Sequence, residues 1–160
     1  WYGDHRDLHY PLRRQRQMCI RDRYDGKSIS GKQNRDSIVN TALLYLHSPY
    51  LWGGKTPFGI DCSGFTQMVY KINGYKILRD AKDQATQGVT LSFIEESEPG
   101  DLAFFHNDND EIIHVGIILK DNHIIHASGK VRIDRLDQSG IYNNEKNKHT
   151  HSLRYIKKII

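Results

Sequence analysis

The spacing of apolar residues changes along the chain, and this change constrains the fold more than any other feature. Between residues 36 and 88 apolar residues recur three and four positions apart, as on one face of a helix. From residue 101 onwards, short runs rich in Ile, Val and Phe are separated by polar turns, as in strands. Helices that precede strands predict an α+β domain, with helices packed on one face of an antiparallel sheet.

The helical part of the pattern predicts two helices and one shorter helical piece. Asp36 and Asp61 are the expected N-caps of the two helices, since each precedes an apolar stripe. The run at 48–60 contains two prolines and three glycines and is predicted to be a loop. The predicted segments cover residues 36–47, 61–72 and 80–88. Cys62 therefore falls in the first turn of the second helix.

The remaining part of the pattern predicts five strands. They cover residues 101–105, 112–119, 123–128, 131–136 and 151–159. The polar segment at 137–150 is predicted to be a loop without a function of its own. His149 and His151, near the end of this segment, are expected to be exposed.

Charge and length exclude several kinds of function and organisation. The net charge of +4 is concentrated in residues 1–24, which hold six Arg and three Asp, so residues 25–160 carry only +1. This leaves no basic footprint for nucleic acid, and no apolar run approaches the roughly 18 residues that span a bilayer. At 160 residues the chain has room for one domain. We expect a non-native or disordered leader at 1–24, a linker at 25–35 and the domain at 36–160.

Cys62 is the one cysteine of the predicted domain, because Cys19 lies in the leader. A single thiol forms no internal disulfide, and no CxxC motif is present to bind zinc. An isolated thiol is often an inert, buried, small apolar side chain. At a helix N-terminus, however, the macrodipole and unpaired backbone N–H groups favour the thiolate and can stabilise an oxyanion. Position alone leaves both interpretations open.

Two histidines, His114 and His126, lie inside apolar strand patterns, where a buried imidazole needs a polar partner. Each alone could be a core histidine with satisfied hydrogen bonds. A two-residue turn at Asp121 and Asn122 would place the two rings on opposite faces of the hairpin. A three-residue loop or a bulge would place them on one face as diagonal neighbours. A catalytic pair therefore requires a connection of odd length near residues 120–123, and this is our prediction.

Five motifs follow one another as they do in the NlpC-type cell-wall cysteine peptidases, which the chain resembles over residues 36–136. They are YLWGG at 50–54, DCSGF at 61–65, PGDLAFF at 99–105, HVGI at 114–117 and IIHASG at 124–129. Each motif alone is weak, but five in order, with His114 lying 52 positions after Cys62, are specific. The resemblance implies a papain-like core in which the cysteine helix packs on the sheet that carries the histidine.

The resemblance also assigns roles to single residues. Cys62 would be the nucleophile, His114 the general base and then the general acid, and His126 the residue that holds the His114 ring in its useful tautomer. Tyr50 would stabilise the oxyanion together with the backbone N–H of Cys62. The alternative role of Tyr50 is packing against the glycine turn that follows it.

The substrate-binding residues are also given by the resemblance. In family members that cut between γ-D-glutamate and a diamino acid, an Asp and a Ser beside the nucleophile help to hold the free amino end of L-Ala. Asp61 and Ser63 match these positions, although Asp61 is equally suited to cap the helix. The stretch RDAKDQ at 79–84 resembles a second substrate-binding segment, which makes Arg79 and Asp80 candidates. The Lys and second Asp of this stretch depart from the commoner small or neutral residues.

Together these implications describe a cysteine endopeptidase that hydrolyses amide bonds in peptidoglycan stem peptides through a thioester. We expect no cofactor and no metal, a monomer, no nucleic-acid partner, and a stem peptide or muropeptide fragment as substrate. The substrate implies the cell envelope or secretion, with recycling of wall fragments in the cytoplasm as the alternative. Three rival functions stay open: a zinc site formed by Cys62, His114 and His126, a non-catalytic wall-binding module, and a transferase with an amine acceptor.

Overall fold

The structure, a computed structural model, describes residues 30–160, in which helices precede a large sheet. The helices are α1 (Arg35–Leu44), α2 (Cys62–Ile72) and α3 (Ala81–Gln84), and a 3-10 turn spans Ile94–Glu96. The strands are β1 (Lys55–Thr56), β2 (Gly59–Ile60), β3 (Val89–Leu91), β4 (Leu102–His106), β5 (Ile112–Ile118), β6 (His123–Ser128), β7 (Lys130–Asp137), β8 (Gly140–Asn143) and β9 (Lys148–Lys158). The predicted leader at 1–24 lies outside the described residues. No helix within residues 30–160 is long and apolar enough to cross a bilayer.

Helix α1 begins at Arg35, and Asn34 rather than the predicted Asp36 is its N-cap. The backbone of Asn34 is still extended, and its side-chain oxygen accepts a hydrogen bond from the backbone N–H of Ser37 at 2.9 Å. Asp36 already lies inside the first turn, where its charge complements the macrodipole. The helix ends at Leu44 rather than at residue 47, since the chain then turns and His47 has a left-handed φ of 70°.

Seven strands form one antiparallel sheet in the order β3-β9-β4-β5-β6-β7-β8. Strand β9 pairs with β3 and β4 and also with β8, so strands β4 to β9 close into a ring. Closure satisfies the backbone hydrogen-bonding groups that an open sheet would leave at its edges. Strands β1 and β2 form a small hairpin of their own. The antiparallel sheet predicted from the sequence is confirmed, whereas its closure was not predicted.

Three predicted segments differ from the structure. The predicted loop at 48–60 contains the hairpin of β1 and β2, and the predicted loop at 137–150 contains β8. The helical piece expected at 80–88 is shorter, and β3 follows it. These strands have two to four residues, too few to show an alternating pattern. Strands β3 and β8 pair with longer neighbours, whereas β1 and β2 pair only with each other.

The sheet has two apolar faces, and the helices cover one of them. In the main core α2 packs on β5 and β6, and α1 packs on α2, as the prediction of helices on one face required. The alternate residues of the same strands point to the opposite face, where they form a smaller cluster around Phe105 and Ile141 inside the ring. This packing sets the first turn of α2, and with it Cys62, beside strand β5.

Candidate active site

The connection between β5 and β6 has the odd length that a pairing of the two histidines requires. Gly116 pairs with His126, and residues 120–122 form a three-residue loop. Two of the loop residues adopt left-handed φ angles of 57° and 56°, which Asp and Asn side chains tolerate. A Cβ at Gly116 would lie 2.9 Å from that of His126, so glycine permits the close approach of the strands. His114 and His126 consequently share one face, and the predicted register is confirmed.

Three buried polar side chains form a hydrogen-bonded chain across β5, β6 and β7. His114 Nε2 lies 2.8 Å from His126 Nδ1, and His126 Nε2 lies 3.0 Å from Asp134 Oδ2. An ionised carboxylate only accepts hydrogen bonds, so Asp134 fixes the proton of His126 on Nε2. His126 Nδ1 is then an acceptor, and His114 donates to it through Nε2–H. The hydrogen-bond network thus assigns the His114 tautomer in which Nδ1 has the lone pair of a base.

Asp134 is a member of this site that the sequence analysis missed. It is 3% exposed, and Arg132 Nη2 donates a second hydrogen bond to its carboxylate at 3.1 Å. Burial alone would raise the pKa of Asp134, but hydrogen bonds from His126 and Arg132 outweigh burial and lower it. The carboxylate is therefore ionised at neutral pH. The sequence could have indicated this burial, because residues two apart in a strand share a face and Leu136, an apolar residue, follows Asp134 at that spacing in β7.

Replacing Asp134 with Asn is expected to lower kcat about tenfold while KM stays within about twofold of the original value. Asparagine keeps the shape and one acceptor oxygen, but it removes the charge that stabilises a proton on the imidazole pair. Steady-state kinetics on a stem peptide measure this effect. Glu145→Gln is the matched control, since the Glu145 carboxylate also bonds Arg132 at 3.0 Å but is exposed and outside the imidazole chain. Equal kcat in the two variants would contradict the role of Asp134.

Cys62 is the first residue of α2 and lies in a cleft with 7% of its surface exposed. Burial raises the pKa of the Cys62 thiol and is the largest effect on it. Backbone N–H groups, above all that of Val115, favour the thiolate, while the charge of Asp61 disfavours it. The helix N-terminus thus acts in the expected direction, but burial outweighs it. The net effect on Cys62 is a raised pKa, which favours the thiol over the thiolate.

His114 is buried as deeply as Cys62, with 6% of its surface exposed. Burial lowers the pKa of His114 well below its ordinary value, and the neighbouring His126 and His151 lower it further. Burial thus disfavours the charged form of both groups, the thiolate of Cys62 and the imidazolium of His114. Val115, whose backbone N–H is a hydrogen-bond donor to the Cys62 sulfur, directly follows His114 in β5. The two elements that carry the candidate nucleophile and base thus adjoin at this point.

A cleft of about 630 Å³ brings together Cys62 and most of the predicted substrate-binding residues. Its walls are formed by Trp52, Gly53, Asp61, Cys62, Ser63, Arg79, Asp80, Ala81, Lys82, Ile112 and Ile113. His114 and His126 do not line the cleft, because they are buried in the sheet. Tyr50 is not part of its walls either, although Cys62 and Asp61 add to the effect of burial in raising the pKa of its hydroxyl. A cavity of about 670 Å³ beside α1 contains none of the predicted site residues.

An ion pair between Arg79 and Asp61 organises one wall of the cleft. Arg79 donates to the two carboxylate oxygens at 2.6 and 3.1 Å and to Ser63 Oγ at 2.8 Å. Asp61 also accepts hydrogen bonds from the backbone N–H groups of Gly64 at 2.6 Å and Gly53 at 2.8 Å. Burial would raise the pKa of Asp61, but the hydrogen bonds from Arg79 and Gly64 lower it. Asp61 is thus the N-cap of α2, as predicted, and its charge is also balanced by Arg79.

Replacing Arg79 with Met is expected to lower the free energy of unfolding by about 1–2 kcal/mol, because it leaves the Asp61 carboxylate without its cation. The pair is partly screened, since 29% of the Arg79 side chain is exposed. Urea denaturation measures the change. Lys82→Met is the matched control on the same wall, and we expect it to stay within about 0.5 kcal/mol of the parent. A loss no larger in Arg79→Met than in this control would count against the ion pair.

Two buried polar residues that were not predicted hold α3 against α2. Gln84 Nε2 donates to the backbone oxygens of Ser63 at 3.0 Å and Leu78 at 2.9 Å. Gln84 Oε1 accepts from Thr66 Oγ1 at 2.8 Å. These bonds fix the segment that carries Arg79 relative to the first turn of α2. No local pattern could reveal them, because the partners are distant in sequence.

His151 contradicts the expectation that the last two histidines are exposed. His149 is exposed, as predicted, and its ring nitrogen Nε2 lies 2.8 Å from Asp137 Oδ2. His151 is instead partly buried, and its ring centroid lies 4.3 Å from that of His114. The pairing of β8 with β9 brings His151 to this position. Since β5 and β9 are far apart in sequence and are not neighbours in the sheet, the strand pattern did not indicate the contact.

No three His, Cys, Asp or Glu side chains in the described part of the chain are arranged to hold a metal ion. His114 Nε2 and His126 Nδ1 are 2.8 Å apart and share one hydrogen bond. A zinc ion bound by both nitrogens would have to replace this bond, since each nitrogen would lie about 2.0 Å from the metal. The geometry therefore favours the hydrogen-bonded pair over the zinc site of the sequence analysis.

The fold and the site together define a class of protein. Its features are the closed sheet, the helix that begins at Cys62 and the buried histidines. The profile of the NlpC/P60 family matches residues 47–152, and the chain belongs to this family. The α+β, papain-like fold that the motifs implied is thereby confirmed, as is the family resemblance itself.

Two bacterial proteins named as peptidases are similar to this chain in sequence. Dipeptidyl-peptidase 6 of Lysinibacillus sphaericus is 39% identical over 107 residues, which cover 65% of this chain and 37% of that protein. A gamma-D-glutamyl-L-lysine dipeptidyl-peptidase of Bacillus subtilis is 40% identical over 98 residues, which cover 60% and 33%. The crystal structure of an NlpC/P60 family protein from Bacillus cereus matches with a TM-score of 0.69 at 30% identity, over 81% of this chain and 41% of that one. The chain thus spans about a third of the length of these two relatives.

Proposed function

We propose that this chain is a cysteine endopeptidase that hydrolyses peptidoglycan stem peptides between γ-D-glutamate and a diamino acid. The observation that carries the proposal is the hydrogen-bonded chain of Asp134, His126 and His114, which leaves His114 Nδ1 as a base on the strand that adjoins Cys62. The family membership and the name of the Bacillus subtilis relative, a gamma-D-glutamyl-L-lysine dipeptidyl-peptidase, support the reaction and the bond.

The reaction begins with a thiol and a neutral imidazole. His114 Nδ1 accepts the proton of Cys62 as the sulfur attacks the scissile carbonyl carbon. The backbone N–H of Cys62 and the hydroxyl of Tyr50 stabilise the oxygen that becomes negative. His114 then returns its proton to the leaving amine, and a thioester remains on Cys62. Water, deprotonated by His114, hydrolyses the thioester and restores the thiol.

The cleft offers a carboxylate to the free amino end of the substrate. The resemblance gives this role to Asp61 and Ser63, but the charge of Asp61 is already balanced by Arg79. Asp80 lies in the same cleft, and its side chain does not cap α3. We therefore assign the ammonium group of L-Ala to a site shared by Asp80 and Asp61, with Ser63 as an additional acceptor.

The rival functions have less support from the site. A non-catalytic wall-binding module has no need for an ionised carboxylate that fixes the tautomers of two buried histidines. A transferase would use the same thioester, so only the acceptor separates it from a hydrolase. A stem-peptide substrate implies a reaction in the cell envelope or outside the cell, with wall-fragment recycling in the cytoplasm as the alternative. We propose that the chain acts as a monomer.

The test uses the tripeptide L-Ala-γ-D-Glu-meso-diaminopimelate and its N-acetylated form, with products identified by mass spectrometry. We expect release of L-Ala-γ-D-Glu from the free tripeptide and at least about tenfold slower cleavage of the acetylated one, because acetylation removes the ammonium group. Prior alkylation of Cys62 by iodoacetamide should stop both reactions. Transfer to an added amine in preference to water would identify a transferase. Absence of cleavage in every stem peptide tested would overturn the proposal.

A further inference from the structure

His151 lies against the face of the proposed general base. The ring centroids of His114 and His151 are 4.3 Å apart and their planes differ by 26°, which is a stacked arrangement. His126 meets His114 differently, edge to face, with centroids 5.0 Å apart and planes at 84°. His126 is thus hydrogen-bonded to the edge of the His114 ring, while His151 stacks on its face.

The position of His151 is fixed from several sides. It pairs with Ile141 across the junction of β8 and β9, which closes the ring of strands. Its Nδ1 lies 2.9 Å from Thr150 Oγ1, and the Phe105 ring lies 6.0 Å away, edge to face. Gly140 permits the close approach of the two strands, because a Cβ there would clash with the carbonyl oxygen of His151.

The stacked pair consists of two uncharged rings at neutral pH. The pKa of His151 is lowered to about 4, chiefly by burial and then by His126 and Lys146, against the opposing effect of Asp134. The pKa of His114 is lowered as well. A flat, neutral ring can lie on another at van der Waals distance without repulsion between like charges. The contact is thus suited to holding a ring plane and not to transferring protons.

We propose that His151 is a positioning residue, whose ring packs on that of His114 and holds its plane so that Nε2 points to His126 and Nδ1 stays available to Cys62. This inference rests on the proposed function of His114. A single hydrogen bond through Nε2 would still allow the imidazole to tilt about it. The stacking ring removes this freedom, and small misplacements of a catalytic group are costly to the rate.

Two substitutions of similar size separate ring stacking from simple filling of space. His151→Phe keeps a flat ring, whereas His151→Leu fills the site with a branched aliphatic chain. We expect kcat about tenfold lower in His151→Leu but within about threefold of the parent in His151→Phe, with KM within about twofold in both. His149→Leu is the matched control on the same strand, and its kinetics should equal those of the parent. Melting temperatures check that all variants fold, and His151→Gln replaces His151→Leu if that variant does not.

A second measurement does not depend on turnover. Imidazole 15N NMR should show His114 with a protonated, hydrogen-bonded Nε2 and a bare Nδ1 in the parent and in His151→Phe. In His151→Leu the ring should tilt and weaken its hydrogen bond to His126, so that the two tautomers average. A stem peptide left uncut by the parent would defeat the proposed function, while this comparison would still test the role of His151. A parent-like spectrum and kcat in His151→Leu would overturn the inference. So would equal losses in the Leu and Phe variants, because they would show that the flat ring is not what matters.

Discussion

Cys62→Ala is expected to lower cleavage of L-Ala-γ-D-Glu-meso-diaminopimelate by more than about 10⁴-fold, to the background of the assay. Alanine removes the sulfur that forms the thioester and changes little else, because Cys62 is a small residue packed in the main core. The fold and the cleft should therefore persist. Dipeptide release measured by mass spectrometry gives the rate, and isothermal calorimetry checks that the variant still binds the peptide.

Cys19→Ala is the matched control for this substitution, although Cys19 lies outside the described residues. This variant removes the other thiol of the chain and leaves Cys62 in place. It therefore shows whether losing any thiol, and not Cys62 in particular, lowers the activity. We expect its rate to equal that of the parent. Retention of more than about a tenth of the parental rate in Cys62→Ala would contradict the assignment of the nucleophile.

His114→Gln is expected to lower kcat by about 10³-fold at neutral pH. The glutamine amide can still donate a hydrogen bond to His126, but it cannot accept the proton of a thiol. The loss should be steeper at neutral than at alkaline pH. Burial raises the pKa of Cys62, so without His114 the thiolate forms only as the pH rises towards that pKa. The pH dependence of kcat, measured from about 6 to 10, should show the residual activity increasing with pH.

His123→Gln is the control for this prediction. His123 begins β6 in the same hairpin, is only partly buried and takes no part in the imidazole chain. Its rate should stay within about twofold of the parent across the pH range. A rate loss below about tenfold in His114→Gln, or a residual activity that does not rise with pH, would exclude His114 as the general base.

The site features that were predicted correctly are those that depend only on residues close together in the sequence. Asp61 was predicted as an N-cap because a carboxylate precedes an apolar stripe, and the structure confirms it. Counting residues through the turn showed that His114 and His126 share a face only if the connection has odd length, and the structure confirms the odd length that we predicted. Both inferences concern a single helix start or a single hairpin, so no contact that is distant in the chain was needed to state them.

The residues that the sequence did not reveal depend on contacts made by closure of the sheet. His151 reaches His114 only because β9 pairs with β8 as well as β4. The N-cap of α1 was misassigned by two residues, since Asn34 and Asp36 both suit a helix start and only the backbone angles separate them. The direction of the Cys62 pKa shift was also beyond the sequence, because burial raises the pKa more than the backbone N–H groups lower it, and the depth of burial depends on the fold.

The central claim is that Cys62 forms a thioester with the acyl part of a stem peptide, and trapping that intermediate tests it most directly. The parent enzyme is mixed with L-Ala-γ-D-Glu-meso-diaminopimelate, quenched in acid within the first turnover, digested and analysed by mass spectrometry. We predict one L-Ala-γ-D-Glu acyl group on the peptide that contains Cys62, lost on treatment with hydroxylamine and absent from Cys62→Ala. Rapid cleavage of the tripeptide by Cys62→Ala, with no acyl group formed on Cys62 in the parent, would contradict the account.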